Sequence, residues 1–423
     1  MNTPITRRRL LGASAAGSTL TLLGCASVST DKPIGRVVVV GAGYGGATAA
    51  KYIRKWDPRI EVVLVERNER FVSCPISNLV LGGVKRMEDI TLAYDGLAKY
   101  GIRQVRDEAT AIDLDRRQLR LARGEPLAWD RLLVAPGIDF DYSGVPGLLA
   151  AEQAGRVWHA WKAGPQTLAL RRQLEAMPDG GVFAISIPKA PYRCPPGPYE
   201  RVSLVAHYFR QAKPRAKILA LDANPDIVSK KGLFLKAWDD LYKGMIEYRP
   251  NSELVEFDGN RMLAKMQLED VKADVFNIVP PQKAGQIAAP LVNVNNRWVG
   301  VEFQGFQTQR AELVHVVGDA TSSGPAMPKS AFQANNHGKV AAAAIIARLT
   351  GQPVDDTPIF ANTCYSFVSA TEAMHVASVH KWDAAQKTVV PVAGAGGLSA
   401  ARSEVEARYA LDWATNIWAD TLA

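Results

Sequence analysis

The sequence predicts an α/β fold of two dinucleotide-binding (Rossmann-like) domains followed by a small C-terminal α+β segment, and three observations predict it. A β-branched run, Arg36 to Val40, ends in Gly41-Ala42-Gly43-Tyr44-Gly45-Gly46 and passes into the helix-forming stretch Ala47 to Lys55. A second apolar run, Ile60 to Val65, stops at Glu66, and two later apolar runs, Arg131 to Ala135 and Leu313 to Val317, end in the small turns Pro136-Gly137 and Gly318-Asp319. A further strand, Gly181 to Ser186, opens the middle of the chain as the first strand opens the beginning. Strands alternating with helical stretches imply parallel sheets covered by helices.

Before the first strand lies a segment of another kind. Thr6-Arg7-Arg8-Arg9-Leu10-Leu11 leads into the small and apolar run Gly12 to Leu23, then Gly24-Cys25-Ala26. Consecutive arginines ahead of an apolar run too short to span a bilayer read as a twin-arginine signal over residues 1–26, which predicts periplasmic export. The alternative cut lies before Cys25 and yields a lipoprotein. Cleavage after Ala26 removes three arginines and no acid, lowering the formal charge of +8. The remaining charge is mild and evenly spread, with no basic stripe interleaved with aromatics, which argues against a nucleic-acid partner. No apolar run after residue 26 is long enough to be an integral membrane segment.

The first turn carries recognisable chemistry. Gly41, Gly43 and Gly46 stand at the first, third and sixth positions, where they permit a tight turn and close backbone approach to a pyrophosphate at the helix N-terminus. Glu66 stands where an acid hydrogen-bonds a ribose hydroxyl. The middle strand is followed by no such turn. Pro188-Lys-Ala-Pro-Tyr-Arg193-Cys194-Pro195-Pro196-Gly197-Pro198-Tyr199-Glu200 is rich in prolines, which have no amide donors for a pyrophosphate. A nicotinamide nucleotide is therefore disfavoured as electron partner. Pro328-Lys329-Ser330 opens an alanine-rich helix running to about Leu349.

The sequence contains four cysteines, Cys25, Cys74, Cys194 and Cys364. Once Cys25 leaves with the signal, an odd number reaches an oxidising compartment, so at most one internal disulfide forms and one thiol needs another explanation. Read alone, Cys74 is a buried thiol, Lys329 a solvated charge and Glu200 a surface acid opening a helix. No Cys-x-x-Cys-His haem-attachment motif occurs.

Six segments, in order along the chain, are similar to one family: Gly41 to Gly46, Val72-Ser-Cys74-Pro-Ile-Ser-Asn78, Cys194 to Glu200, Gly318-Asp319, Met327-Pro-Lys329-Ser330 and Asn362-Thr-Cys364-Tyr365. They resemble the flavoprotein subunit of flavocytochrome c sulfide dehydrogenases and, more distantly, the sulfide:quinone oxidoreductases, both of the FAD-dependent disulfide reductase type. The resemblance implies FAD held by the glycine turn, by Gly137 and by Asp319 on the ribityl chain, with Lys329 and the helix after it at the flavin's pyrimidine edge. It implies covalent attachment of FAD through Cys74 and a redox-active disulfide between Cys194 and Cys364. Hydrosulfide is then the substrate, Cys194 the persulfide carrier, Cys364 the flavin-facing sulfur, Glu200 the base, and a c-type cytochrome subunit the electron acceptor. A quinone acceptor, or an accessory role in a sulfur-oxidising complex, is the alternative. The domains expected are FAD-binding at 34–150 and 286–355, a second dinucleotide-like unit without the fingerprint at 151–285, and a C-terminal flavocytochrome-type domain at 356–423. In that last domain Trp413 or Trp418 is a candidate pocket wall, and Val405 to Trp418 has the pattern of an amphipathic helix.

Overall fold

The computed structural model describes residues 32–423. The predicted export signal, with Arg7 to Arg9 and Cys25, lies outside the described residues. In chain order the first domain contributes β1 (Gly35–Val40), α1 (Tyr44–Trp56), β2 (Ile60–Val65), β3 (Arg103–Val105) and β4 (Arg131–Val134). The middle contributes β5 (Val182–Ile187), α2 (Gly197–Ala212), β6 (Lys217–Asp222), α3 (Lys231–Tyr242), β7 (Ile246–Arg249) and β8 (Val275–Ile278). Then follow β9 (Val314–Val316), α4 (Ala331–Thr350), the strands β10 (Ile359–Phe367), β11 (Ala373–Asp383) and β12 (Thr388–Leu398), and α5 (Glu404–Leu422).

The first sheet has the order β9-β4-β1-β2-β3, all parallel, so strands from both ends of the main body complete one layer. Val37, Val38, Val39, Val62 and Val63 are almost wholly buried, as a parallel sheet covered on both faces requires. The middle sheet, β7-β6-β5-β8, is also parallel. The C-terminal layer is antiparallel, β10-β11-β12, with Cys364 of β10 opposite Val376 of β11.

Two boundaries differ from the sequence reading, each for a local reason. Helix α1 begins at Tyr44 rather than Ala47, because Gly46 must stand inside its first turn: a Cβ there would lie 1.8 Å from the Gly41 carbonyl oxygen. Gly41 itself turns at φ +89°, and a side chain on it would strike the Ala135 carbonyl at 2.4 Å, which is how β1 and β4 close side by side beneath the turn. Helix α4 begins after Ser330, whose hydroxyl caps it by accepting from the Gln333 amide at 3.1 Å. Lys329 and Pro328 are thus left outside the helix.

Helix α5 returns to the first domain. It buries Ala407, Ala410, Ala414, Ile417 and Thr421, a spacing of one helix face. Asp420 accepts from Tyr52 Oη at 2.5 Å, from Asn335 Nδ2 at 2.8 Å and from Lys339 Nζ at 2.8 Å, while Lys51 Nζ reaches the Ala419 and Asp420 carbonyls. The chain end therefore lies against α1 and α4. No helix among the described residues is long and apolar enough to cross a membrane.

Candidate active site

At the C-terminal ends of the first sheet's strands the glycine turn, the 135–137 turn and the 318–319 turn open on one cavity of about 930 Å³. Gly41, Gly43, Glu66, Cys74, Gly137, Cys194, Glu200, Asp319 and Cys364 all line it. Residues as far apart as Gly41 and Trp413 thus meet around one space, at the position where open α/β sheets bind ligands.

Several of its walls are shaped for something else to complete them. Asp319 Oδ1 is buried with no hydrogen-bond partner among the described residues, and burial raises its pKa, with Arg193 and Lys329 opposing. A carboxylate so enclosed calls for a hydroxyl donor from a ligand. Trp413 Nε1, a buried donor, also lacks a partner among the described residues and lies on the cavity wall. Nothing lies within 4 Å of where a Gly43 Cβ would stand, leaving the first turn of α1 open to a diphosphate. Glu66 is already engaged, accepting from the Ala42 amide at 2.8 Å and from Asn68 at 2.8 and 2.6 Å. Its first role is to brace the turn. The set fits FAD.

The three cysteines are free thiols here, all facing this cavity. Cys74 follows the short strand Phe71–Val72 and receives the Ala163 amide at 3.5 Å on its sulfur. Cys194 precedes α2 with a left-handed φ of +59°, held there by donating its amide to the Lys329 carbonyl at 2.8 Å. Such a conformation is costly for a residue with a Cβ and fixes where the sulfur stands. Cys364 Sγ lies 3.3 Å from Asn362 Nδ2, and Asn362 Oδ1 accepts from the capping hydroxyl of Ser330 at 2.7 Å. Burial raises the pKa of both Cys194 and Cys364, and for Cys194 the charge of Cys364 comes next. The charge of Cys364 thus acts on the Cys194 sulfur.

Glu200 stands in the first turn of α2, enclosed by protein. Its two carboxylate oxygens accept from the Phe367 amide at 2.9 Å and Asn78 Nδ2 at 2.7 Å. Burial raises its pKa, and its charge acts on Cys194. A carboxylate pushed toward neutrality beside a thiol is suited to exchange protons with it.

Lys329 departs from the sequence reading. It does not line the large cavity; its ammonium donates to the Asp319 carbonyl at 3.0 Å and to that of Thr321, 3.8 Å above the Trp298 ring, on a second cavity. The cause is the late start of α4, which leaves Lys329 in the preceding loop. Of the two candidate tryptophans, Trp413 lines the cavity, whereas Trp418 donates to Tyr44 Oη at 3.1 Å and braces the helix beneath.

Two cations were not legible in the sequence. Lys230, 4% exposed, donates to the Cys364 carbonyl and to Ser366 Oγ, each at 2.8 Å, and burial pulls its pKa down to about 8 against the opposing charges of Cys364, Glu200 and Cys194. Arg193 donates to the Trp161 carbonyl and feels Cys74, Asp319 and Cys194 at once. Lys230 lies far from any motif and has no local sequence signal; Arg193 adjoins Cys194 in the proline-rich segment, and only the fold brings its charge to Cys74 and Asp319 as well.

The fold and the cavity define a flavoprotein of the FAD-dependent disulfide reductase class, and a pyridine nucleotide-disulphide oxidoreductase model matches residues 35–173. The sulfide:quinone oxidoreductase structure from Aquifex aeolicus shares the fold, with a TM-score of 0.75 at 17% identity over 91% of each chain. The central model of the sulfide dehydrogenase (flavocytochrome c) flavoprotein chain matches residues 167–280, and the flavocytochrome c sulphide dehydrogenase flavin-binding model matches 356–422. The flavoprotein chain of that enzyme from Chlorobaculum thiosulfatiphilum is 64% identical over 45 residues, 11% of this chain and 94% of that sequence. This chain belongs to the family of flavocytochrome c sulfide dehydrogenase flavoprotein chains. Mitochondrial sulfide:quinone oxidoreductase of Mus musculus is 24% identical over 314 residues; the match covers 68% of this chain and 65% of the length of that relative.

Proposed function

We propose that this chain oxidises hydrosulfide through a Cys194–Cys364 disulfide, with FAD tethered to Cys74, and delivers the electrons to a c-type cytochrome subunit after export to the periplasm. The observation that carries the reading is that Cys74, Cys194 and Cys364 all face one cavity that also presents Glu200 and the unpartnered Asp319 Oδ1. FAD, held by the glycine turn and Asp319, would supply a two-electron sink for the pair. Hydrosulfide attacks the Cys194 sulfur, the S–S bond breaks, and a persulfide on Cys194 and a thiolate on Cys364 result. A second hydrosulfide takes the outer sulfur away as hydrodisulfide and leaves the pair reduced, and its return to the disulfide releases two electrons and one proton. Two hydrosulfides thus give one hydrodisulfide, one proton and two electrons, and Glu200 receives the proton. Cys194 is assigned the attack by the family resemblance, and the charge of Glu200 acts on both sulfurs of the pair. Lys230 holds the Cys364 thiolate by charge. The third sulfur, Cys74, is left for the tether, and the charge of Arg193 acts on it as on Cys194.

Peptide mapping of the holoprotein tests the tether: FAD should stay on the Cys74 peptide under denaturing conditions, and a free Cys74 thiol would remove that part of the reading. Cys194→Ser tests the activity. Anaerobic bleaching of the flavin by sulfide should vanish in the variant; bleaching that persists would favour an accessory role.

A further inference from the structure

Of the 72–78 segment the reaction uses Cys74 alone. Asn78, at the segment's end, is buried in the short helix Ser77–Leu81 and lines the same cavity as the cysteines. Both hydrogens of its amide are taken: Nδ2 donates to Glu200 Oε2 at 2.7 Å and to the Gly197 carbonyl at 3.3 Å. Its oxygen is taken as well, accepting from Arg201 Nε at 3.0 Å. Arg201 is itself fixed. It is 2% exposed, Nη1 donates to the His159 carbonyl at 3.0 Å and to Asn277 Oδ1 at 2.8 Å, Nη2 donates to the Ala160 carbonyl at 2.8 Å, and the guanidinium stands 4.8 Å from the centre of the Trp161 ring. A guanidinium has donors and no acceptor, so only the oxygen end of the Asn78 amide can meet it. The nitrogen end is thereby turned to Glu200, which in its ionised form can only accept.

We propose that Asn78 is a positioning residue for Glu200: locked by Arg201, its amide aims a hydrogen at the carboxylate and keeps it a base for the proton that sulfide oxidation releases. The inference rests on the sulfide-oxidising reading above and adds to it what holds the base ready. Three parts of the chain meet at this carboxylate: the helix after Cys74 through Asn78, α2 through Glu200 itself, and β10 through the Phe367 amide, which donates to Oε1 at 2.9 Å. The Cys194 turn joins them, because Gly197, which takes the other Asn78 hydrogen, donates its own amide to the Cys194 carbonyl at 2.9 Å.

Burial raises the pKa of Glu200, and the Phe367 amide, the Asn78 amide, Lys230 and Arg201 oppose it. The thiols Cys194 and Cys364 feel its charge in turn. Among the opposing groups, Asn78 is the one whose effect a rotation would reverse. With its oxygen toward Glu200, the amide would bond only the protonated acid.

The test uses the flavin-loaded protein and two substitutions. Asn78→Leu removes both halves of the contact; Asn78→Asp, nearly isosteric, keeps an acceptor for Arg201 and faces Glu200 with a like charge. Sulfide-dependent bleaching is followed against pH at equal hydrosulfide concentration. Its acidic limb should move up by about one to two pH units in Asn78→Leu, the worth of a hydrogen bond to a charged group, and at least as far in Asn78→Asp, with the rate recovered above the limb. An infrared titration, reading the protonated-carboxyl band that Glu200→Gln removes, should show the same shift without sulfide. A side chain that merely fastened its helix to α2 would lower the plateau or the melting temperature and leave both midpoints where they are. Unchanged midpoints in either variant that retains flavin therefore overturn the proposal. If sulfide does not bleach the wild type at all, the sulfide-oxidising reading has failed instead, and the infrared midpoint still judges the aim of Asn78.

Discussion

At the scale of single residues the site works by enclosing charge near sulfur. Cys364 is buried enough to resist ionisation, and the nearest force restoring its thiolate is the Lys230 ammonium. Lys230→Met should therefore slow alkylation of reduced Cys364 at neutral pH by roughly tenfold, the rate equivalent of about 1.4 kcal/mol, and Lys230→Arg should recover part of it. A purely structural lysine would leave the rate constant intact in any variant that still binds flavin. Glu200 obeys the opposite sign. Burial raises its pKa, so its base form is lost as pH falls through that raised value, and sulfide-dependent bleaching should decline on the acidic side. In Glu200→Gln that limb should disappear, with the plateau slowed by about 10²-fold when rates are compared at equal hydrosulfide concentration. The cysteines and Glu200 were readable because each stands in a short motif. Lys230 was not, because its partner Cys364 is 134 residues away and nothing around it repeats or spaces.

At the scale of elements, legibility followed periodicity. Strands β1 and β2, the start of β5 and the body of α4 were visible as uninterrupted apolar or alanine-rich runs bounded by glycine, proline or an acid. The antiparallel sheet β10-β11-β12 was foreseen only as an α+β segment: β12 reads Thr-Val-Val-Pro-Val-Ala-Gly-Ala-Gly-Gly-Leu, and its proline and glycines break the alternation that would mark a strand. Its partner strand supplies what its sequence lacks, through pairs such as His380 with Pro391 and Val376 with Leu398. The glycine turn makes a sharper claim. Since the missing Cβ of Gly46 would stand 1.8 Å from a backbone oxygen, Gly46→Ala cannot be absorbed by a rotamer change. It should cost about 1–3 kcal/mol or more and empty the flavin site, measured by denaturant midpoint and by flavin absorbance per chain.

At the scale of the whole molecule, the two parallel sheets are alike in plan and unlike in what their strand ends can hold. In the first, β1 runs into an open glycine turn and β2 into Glu66. In the second, β5 runs into Pro188 and α2 starts behind Pro196, with a proline in its first turn, so that helix end is poor in amide donors. The acid that ends β6, Asp222, is wholly buried and already satisfied: Oδ2 accepts from Tyr199 at 2.7 Å and Tyr248 at 3.0 Å, and Oδ1 from Asn224 twice. Tyr199 itself packs on Phe234 of α3, so the position where a ribose would bind is filled from within. The space that a nicotinamide nucleotide needs has been given over to Cys194 and its proline-rich loop. Excess NADH or NADPH should therefore leave the flavin oxidised under anaerobic conditions in which hydrosulfide bleaches it. Asp222→Ala should not create nucleotide reduction, because removing the acid restores neither the glycine turn nor the amide donors. Bleaching of the wild-type flavin by either nucleotide would mean that electrons enter along a route the second sheet does not shape, and that the cysteine pair is not the entry point.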